Sequence, residues 1–258
     1  MLYLHYKFNK ITVMRNFKFL MILAVAAIFF SGCAKEPAPF FTVDKEVVYV
    51  GDVVTFTNKS FDSDTYLWDF GDGKTSTEVN PTHTYEAAGT YTVTLTGTTK
   101  KKSLSYHTVI TVKRPNEFVV NNVHYPITEF QVLRESSVNG GMNYYLYFYN
   151  KNELIYDPSS EWFTGRGNML EVDLYANSLE GGTYRYNSSV TPILGTASWI
   201  EAFTDYDFDT DNGSSRYASS GAVVVTKDGN NYTFDIDYTD DNGQKITGYV
   251  ECTITATV

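Results

Sequence analysis

Four aspartates, Asp205, Asp207, Asp209 and Asp211, alternate through FTDYDFDTDNG. Alternate carboxylates are the donors that can converge on a hard cation such as calcium. The register differs from an EF-hand: counted from Asp207, the glycine falls seventh and Ala218 stands twelfth in place of glutamate. The competing and preferred expectation is a strand edge, with Tyr206 and Phe208 packed inward and the aspartates in water, where charge resists edge-to-edge pairing. A second constellation is EWFTGRG, residues 161–167, which sets Trp162 and Phe163 beside glycines. Exposed aromatics of this kind stack on the apolar face of a sugar ring, with Arg166 bonding its hydroxyls; Trp199 in TASWIEAFTD offers the same chemistry. The alternative is that these rings plug the end of a sandwich. Tyr145, Tyr147 and Tyr149 share one strand face, either as a binding platform or as the cover of a second core layer. No catalytic residue is assigned, because no nucleophile elbow, phosphate loop, dinucleotide fingerprint or paired metal-ligand histidines occur. Calcium is the one candidate cofactor.

The elements that must carry these residues read as strands throughout. In the first half Val54 and Phe56, then Tyr66, Trp68 and Phe70, then Tyr91, Val93 and Leu95, then Val109 and positions up to Val112 supply the inward faces. After Pro115 period-two alternation continues: Tyr144, Leu146 and Phe148; Leu170, Val172 and Leu174; Tyr184 and Tyr186; Val223 and Val225; Tyr232, Phe234, Ile236 and Tyr238. Asn-Gly, Gly-Gly and Asp-Gly turn signals separate these runs. Short strands at regular spacing predict an all-β chain whose second half, residues 115–258, is an antiparallel sandwich or barrel, with the sandwich preferred.

Residues 14–33, MRNFKFLMILAVAAIFFSGC, have a basic start, an apolar run shorter than a membrane span, and small residues before Cys33, which is the pattern of a secretory signal. Residues 1–32 are thus expected to be leader, with Met14 the true start and residues 33–39 a short tether. Removing the four basic residues of 1–32 leaves 16 basic against 30 acidic residues, a net charge of −14. That balance disfavours nucleic acid and electrostatic attachment to anionic lipid, since both need a basic footprint. The one basic run, Lys100, Lys101 and Lys102, falls between two strands and reads as a solvated hairpin tip. The only other cysteine, Cys252, lies on the inward side of GYVECTITATV and reads as a core thiol.

Two resemblances sharpen this reading. YLWDFGDGKTSTEVNPTHTYEAAGTYTVTL, residues 66–95, resembles the PKD domain, an immunoglobulin-like sandwich, through Trp68, Asp69, Phe70, Gly71, Asp72, Gly73, His83, Tyr85, Gly89 and Tyr91. The resemblance implies that residues 40–114 form such a domain and that Trp68 and Tyr91 determine its fold. Phe30, Ser31, Gly32 and Cys33 resemble a bacterial lipoprotein box, which implies cleavage before Cys33, lipid on its thiol and membrane attachment through that lipid. The closing hairpins of residues 221–254 resemble those of Bacteroidetes surface lipoproteins. Together these point to a cell-envelope protein, an outer-membrane lipoprotein facing periplasm or cell surface. The PKD-like unit would serve as spacer and the C-terminal module would contact a glycan. The alternatives are a structural or adhesive protein that binds another envelope protein and, third, a glycoside hydrolase.

Overall fold

The computed structural model describes residues 35–137, 140–189 and 193–255. The leader and Cys33 lie outside the described residues. The chain divides after Lys113 into two units with separate cores, and every regular element described is a strand.

The first unit contains β1 (Phe41–Val43), β2 (Val47–Tyr49), β3 (Val53–Asn58), β4 (Thr65–Asp69), β5 (Thr75–Ser76), β6 (Thr82–Thr84), β7 (Gly89–Thr98) and β8 (Ser103–Lys113). A three-stranded sheet, β1-β3-β6, packs on a five-stranded sheet, β2-β8-β7-β4-β5. Phe41, Val54, Phe56, Trp68, Val93 and Leu95 fill the space between them. Val109 departs from expectation: it is exposed, while Ile110 and Val112 are buried. β8 pairs with β7 so that Ile110 faces Tyr91 and Val112 faces Gly89, which puts the even-numbered residues of β8 in the core. Residues 35–39 also differ from a free tether. Ala38 and Phe61 exchange backbone hydrogen bonds of 2.9 and 3.0 Å, Lys35 pairs with Asp64 at 3.2 Å, and Lys102 pairs with Glu36 at 2.9 Å.

The second unit holds β9 (Glu117–Val120), β10 (Val123–Pro126), β11 (Glu129–Ser136), β12 (Met142–Tyr149), β13 (Leu154–Asp157), β14 (Trp162–Ala176), β15 (Gly182–Tyr186), β16 (Thr196–Asp207), β17 (Asn212–Asp228), β18 (Asn231–Asp240) and β19 (Lys245–Thr253). Its two layers belong to one continuous sheet, ordered β10-β9-β19-β18-β17-β15-β16-β14-β12-β11. The sheet folds over a core in which Phe148 of β12 meets Phe234 of β18, ring centroids 5.3 Å apart. β17 makes the fold possible. Its first residues pair with β16 and its later ones with β15 and β18, and Gly221 stands at the change with φ +136°. A Cβ there would lie 2.4 Å from the Asp237 carbonyl oxygen and 2.5 Å from Tyr238 Cα. Gly221→Ala is therefore expected to cost about 2 kcal/mol or more through backbone strain and a steric clash, read as a lower urea midpoint for the second unit. Cys252 is buried, and that burial pushes its thiol up to about 12, as a core thiol requires.

Candidate functional site

In the first unit the conspicuous residues hold one another. The Trp68 indole donates to the Glu78 carbonyl at 2.9 Å, Tyr85 to the Phe70 carbonyl at 3.1 Å, and Tyr91 to the Ala87 carbonyl, four residues upstream, at 2.8 Å. Asp69 accepts from the Gly71 amide and closes its turn. Asp72 bonds His83 Nε2 at 2.8 Å, and the His83 ring stacks on Phe70 at 4.0 Å. Burial raises the Asp72 pKa, but the bonds from His83 and the Lys74 amide outweigh it and leave the carboxyl below its usual range. These side chains are occupied in building the fold.

The second unit exposes a more reactive surface on the outer face of its sheet. Tyr145, Tyr147 and Tyr149 of β12 lie on the face away from the main core, where Tyr147 and Tyr149 are buried in a second cluster and Tyr145 is half-buried. Register sets Tyr147 beside Glu171 and Tyr145 beside Asp173 on β14. It then sets Glu171 beside Glu201 and Asp173 beside Trp199 on β16, and Glu201 beside Tyr217 on β17. Three carboxyls thus lie among aromatic rings on four adjacent strands about 4.8 Å apart. Glu201 is only 4% exposed. Its Oε2 accepts from the Trp199 indole at 3.1 Å, while Glu201 Oε1 and Asp173 Oδ1 meet no donor. Burial, reinforced by the charge of Glu201, raises Glu171 to about 7. Burial, then Glu171 and Glu201, raise Asp173 to about 8. Glu201 is also raised by burial, with hydrogen bonds from Ser215, Tyr217 and Trp199 opposing the shift. Glu171 and Asp173 therefore retain protons near neutral pH, and Glu201 beside them is shifted in the same direction.

A flap covers one end of this face. β13 and the start of β14 form a hairpin, Tyr156 opposite Phe163 and Asp157 opposite Trp162, so residues 162–167 belong to a strand. Phe163 is 1% exposed, packed on Tyr147, Tyr149, Tyr156 and Phe208. That corrects its assignment as a ligand-contacting ring: it plugs a second core layer, which also buries Tyr149 and Tyr147, so Tyr147 belongs to that layer and not to an open binding platform. Trp162, its neighbour on the opposite face of the hairpin, is 48% exposed. Trp162, Glu161, Tyr145, Tyr147, Leu133 and Glu135 line an open cavity of about 270 Å³. Trp199 is 40% exposed and packs edge-on against exposed Tyr217 at 5.0 Å. Arg166 is held away from the cavity in a bidentate pair with Asp205, at 2.7 and 2.8 Å.

The four aspartates of 205–211 are dispersed. Asp205 takes Arg166, Asp207 caps the amides of Asp209 and Thr210, Asp209 accepts from the Gly165 amide, and Asp211 accepts from the Tyr206 hydroxyl. Tyr206 and Phe208 pack together beneath them. Among the described residues no group of three or more acids, histidines or cysteines is arranged to hold a metal ion. The calcium-loop pattern is satisfied instead by turn capping and one ion pair.

Comparison with known proteins decides the first unit. Residues 35–113 match the family model described as PKD domain. The first unit is a PKD domain. Its match begins at Lys35, in accord with the pairing of Ala38 to Phe61. The PKD segment is 57% identical over 49 residues to collagenase ColQ1 of Bacillus cereus (strain Q1), covering 19% of this chain and 5% of the collagenase. It is 47% identical over 73 residues to the pre-pro-metalloprotease PrtV of Vibrio cholerae serotype O1, covering 26% of this chain and 8% of PrtV. The chain therefore spans under a tenth of these relatives. The solved PKD1 domain of Vibrio cholerae PrtV aligns with 30% of this chain and 96% of its own length at 44% identity, TM-score 0.27. A solved carbohydrate-binding module of the β-sandwich superfamily aligns with 86% of this chain and 93% of its own length at 17% identity, TM-score 0.31.

Proposed function

We propose that the protein is a lipid-anchored component of a bacterial cell envelope whose second unit binds glycan, with the PKD domain as the spacer between anchor and binding module. The observation that carries the glycan reading is the cavity lined by Trp162, Tyr145 and Tyr147, beside a row in which Trp199, Tyr217 and three carboxyls share one sheet face. The exposed rings of Trp162, Trp199 and Tyr217 supply stacking surfaces for sugar C–H faces, and Tyr145 and Glu135 at the cavity supply hydrogen bonds for hydroxyls. A glycoside hydrolase sets two carboxyls on either side of the scissile bond. Glu171 and Glu201 instead lie side by side on one sheet, with Glu201 shielded from water. That placement favours binding over hydrolysis. The anchor is Cys33, and the compartment is the outer membrane, facing periplasm or cell surface.

A glycan array probed with the chain is expected to give hits whose affinity falls at least about tenfold on Trp162→Ala, the size of effect that removing a central aromatic anchor produces. Trp199→Ala should weaken the same hits. Capture of an envelope protein with no glycan hits would replace this reading with the adhesive one.

A further inference from the structure

The chain's overall charge is strongly negative, yet the PKD domain distributes its charges unevenly along its length. Residues 35–40, the β3–β4 loop and the β7–β8 turn meet at one end. Ala38 bonds Phe61, Lys102 pairs with Glu36, the Asp64 amide bonds the Thr98 carbonyl, and the Lys59 amide bonds the Phe40 carbonyl. This end gathers Lys35, Lys59, Lys100, Lys101 and Lys102 against Glu36, Asp62 and Asp64. All five lysines are exposed. Two rings stand among them, Phe61 at 73% and Phe40 at 44% exposure. The opposite end, where the chain leaves at Lys113, carries Asp44, Glu46, Asp52, Asp69, Asp72 and Glu86 against Lys45, Lys74 and Lys113. Residues 1–34 precede the basic, aromatic end directly.

We propose that this end of the PKD domain, formed by Phe40, Phe61 and the lysines at 35, 59 and 100–102, docks on a bilayer surface carrying anionic phospholipid headgroups. The inference rests on the lipid-anchor reading of Cys33, which brings this end to the bilayer. Five lysines against three acids, two of them already paired with Lys35 and Lys102, leave this end net positive, and each lysine charge not offset there is worth about fivefold in affinity near an anionic surface. Phe61 and Phe40 supply apolar area at the headgroup boundary. The remote acids do not cancel the attraction, because charges more than about 8 Å apart in solvent are largely screened at physiological ionic strength. The net charge of the chain is therefore a poor guide to this surface.

The test uses the full chain purified from membranes. Its intact mass reports whether Cys33 carries lipid. Hydrogen exchange is then followed on vesicles of phosphatidylcholine alone and of phosphatidylcholine with phosphatidylglycerol. The amides of 59–63 and 99–103 are expected to exchange several-fold more slowly on the anionic vesicles and to lose that protection in high salt. Amides 70–74, at the acidic end, should exchange alike on both. The K100E/K101E/K102E chain should lose the difference between vesicles, and Phe61→Ser should weaken it on anionic vesicles. Equal exchange on both vesicle types, or protection at 70–74, overturns the proposal. A chain without lipid on Cys33 that still shows anionic protection at 59–63 and 99–103 removes the anchor and supports the docking face.

Discussion

The E171Q/D173N/E201Q chain is expected to melt at a higher temperature than the parent at pH 8 and to lose most of the parent's pH dependence between pH 5 and 8. The sign follows from proton binding. Glu171 and Asp173 titrate near 7 and 8 in the folded protein, well above the values of free side chains. Between the two ranges the folded state holds protons that the unfolded state has released, so stability falls as pH rises. The loss begins above about pH 4 and is complete once the folded groups ionise, near pH 8. The proton that Glu171 alone holds from about pH 5 to 7 should cost the parent on the order of 2–3 kcal/mol across this window, and Asp173 adds to it. For a unit of this size that is about 5–10 °C in melting temperature. Neutral amides of the same shape remove both the repulsion and the titration. Calorimetry at pH 5 and pH 8 reads the effect, and a parent whose melting temperature holds steady or rises over this interval would contradict the assignment.

Trp68→Ala should produce a loss of similar or greater size confined to the PKD domain. The ring is fully buried and packs against Phe41 and Phe56 at 4.9 and 5.6 Å. Its deletion leaves a cavity between the sheets and strips the Glu78 carbonyl of its donor. Large-to-small changes at such sites cost about 3–5 kcal/mol, enough to unfold a small domain of ordinary stability. The core of the second unit contains no residue of the first, so its transition should stay in place. Limited proteolysis should therefore cut within residues 41–112 and leave a resistant fragment from the second unit. Equal loss from both units would show that their cores are coupled.

Much of this architecture was legible in the sequence because the strands repeat every two residues. Tyr144, Leu146 and Phe148, Leu170, Val172 and Leu174, and Tyr232, Phe234, Ile236 and Tyr238 all face the core that their spacing assigns to them, or pack against it. Val109 was misplaced because β8 carries apolar residues at both parities, and only pairing with β7 decides which side is covered. The carboxyl trio was invisible for a related reason. Glu171 and Asp173 alternate with Leu170, Val172 and Leu174 and so read as the solvated side of an amphipathic strand. Glu201 lies thirty residues away and joins them only through sheet register. The signal that could have exposed the trio was in MNYYLYFY of β12, a strand apolar on both sides. Such a strand predicts a sheet covered on both faces, and acids on its neighbours then lie under cover too. Phe163 was ambiguous because a hairpin flap and a loop of aromatics and glycines look alike until a partner strand is known.

The pinning of Ala38 to Phe61 also bears on how the PKD domain responds to load. The chain enters beside Phe61 at one end and leaves after Lys113 at the other, and both terminal strands, β1 and β8, run between those ends. Tension between an anchor at one terminus and a captured polymer at the other would pull β1 and β8 in opposite directions along their own axes. Their hydrogen bonds would then be strained side by side and must yield together, whereas a strand peeled from its end gives them up singly. A domain threaded in this way meets tension between its termini in shear, the loading direction in which strand hydrogen bonds resist longest.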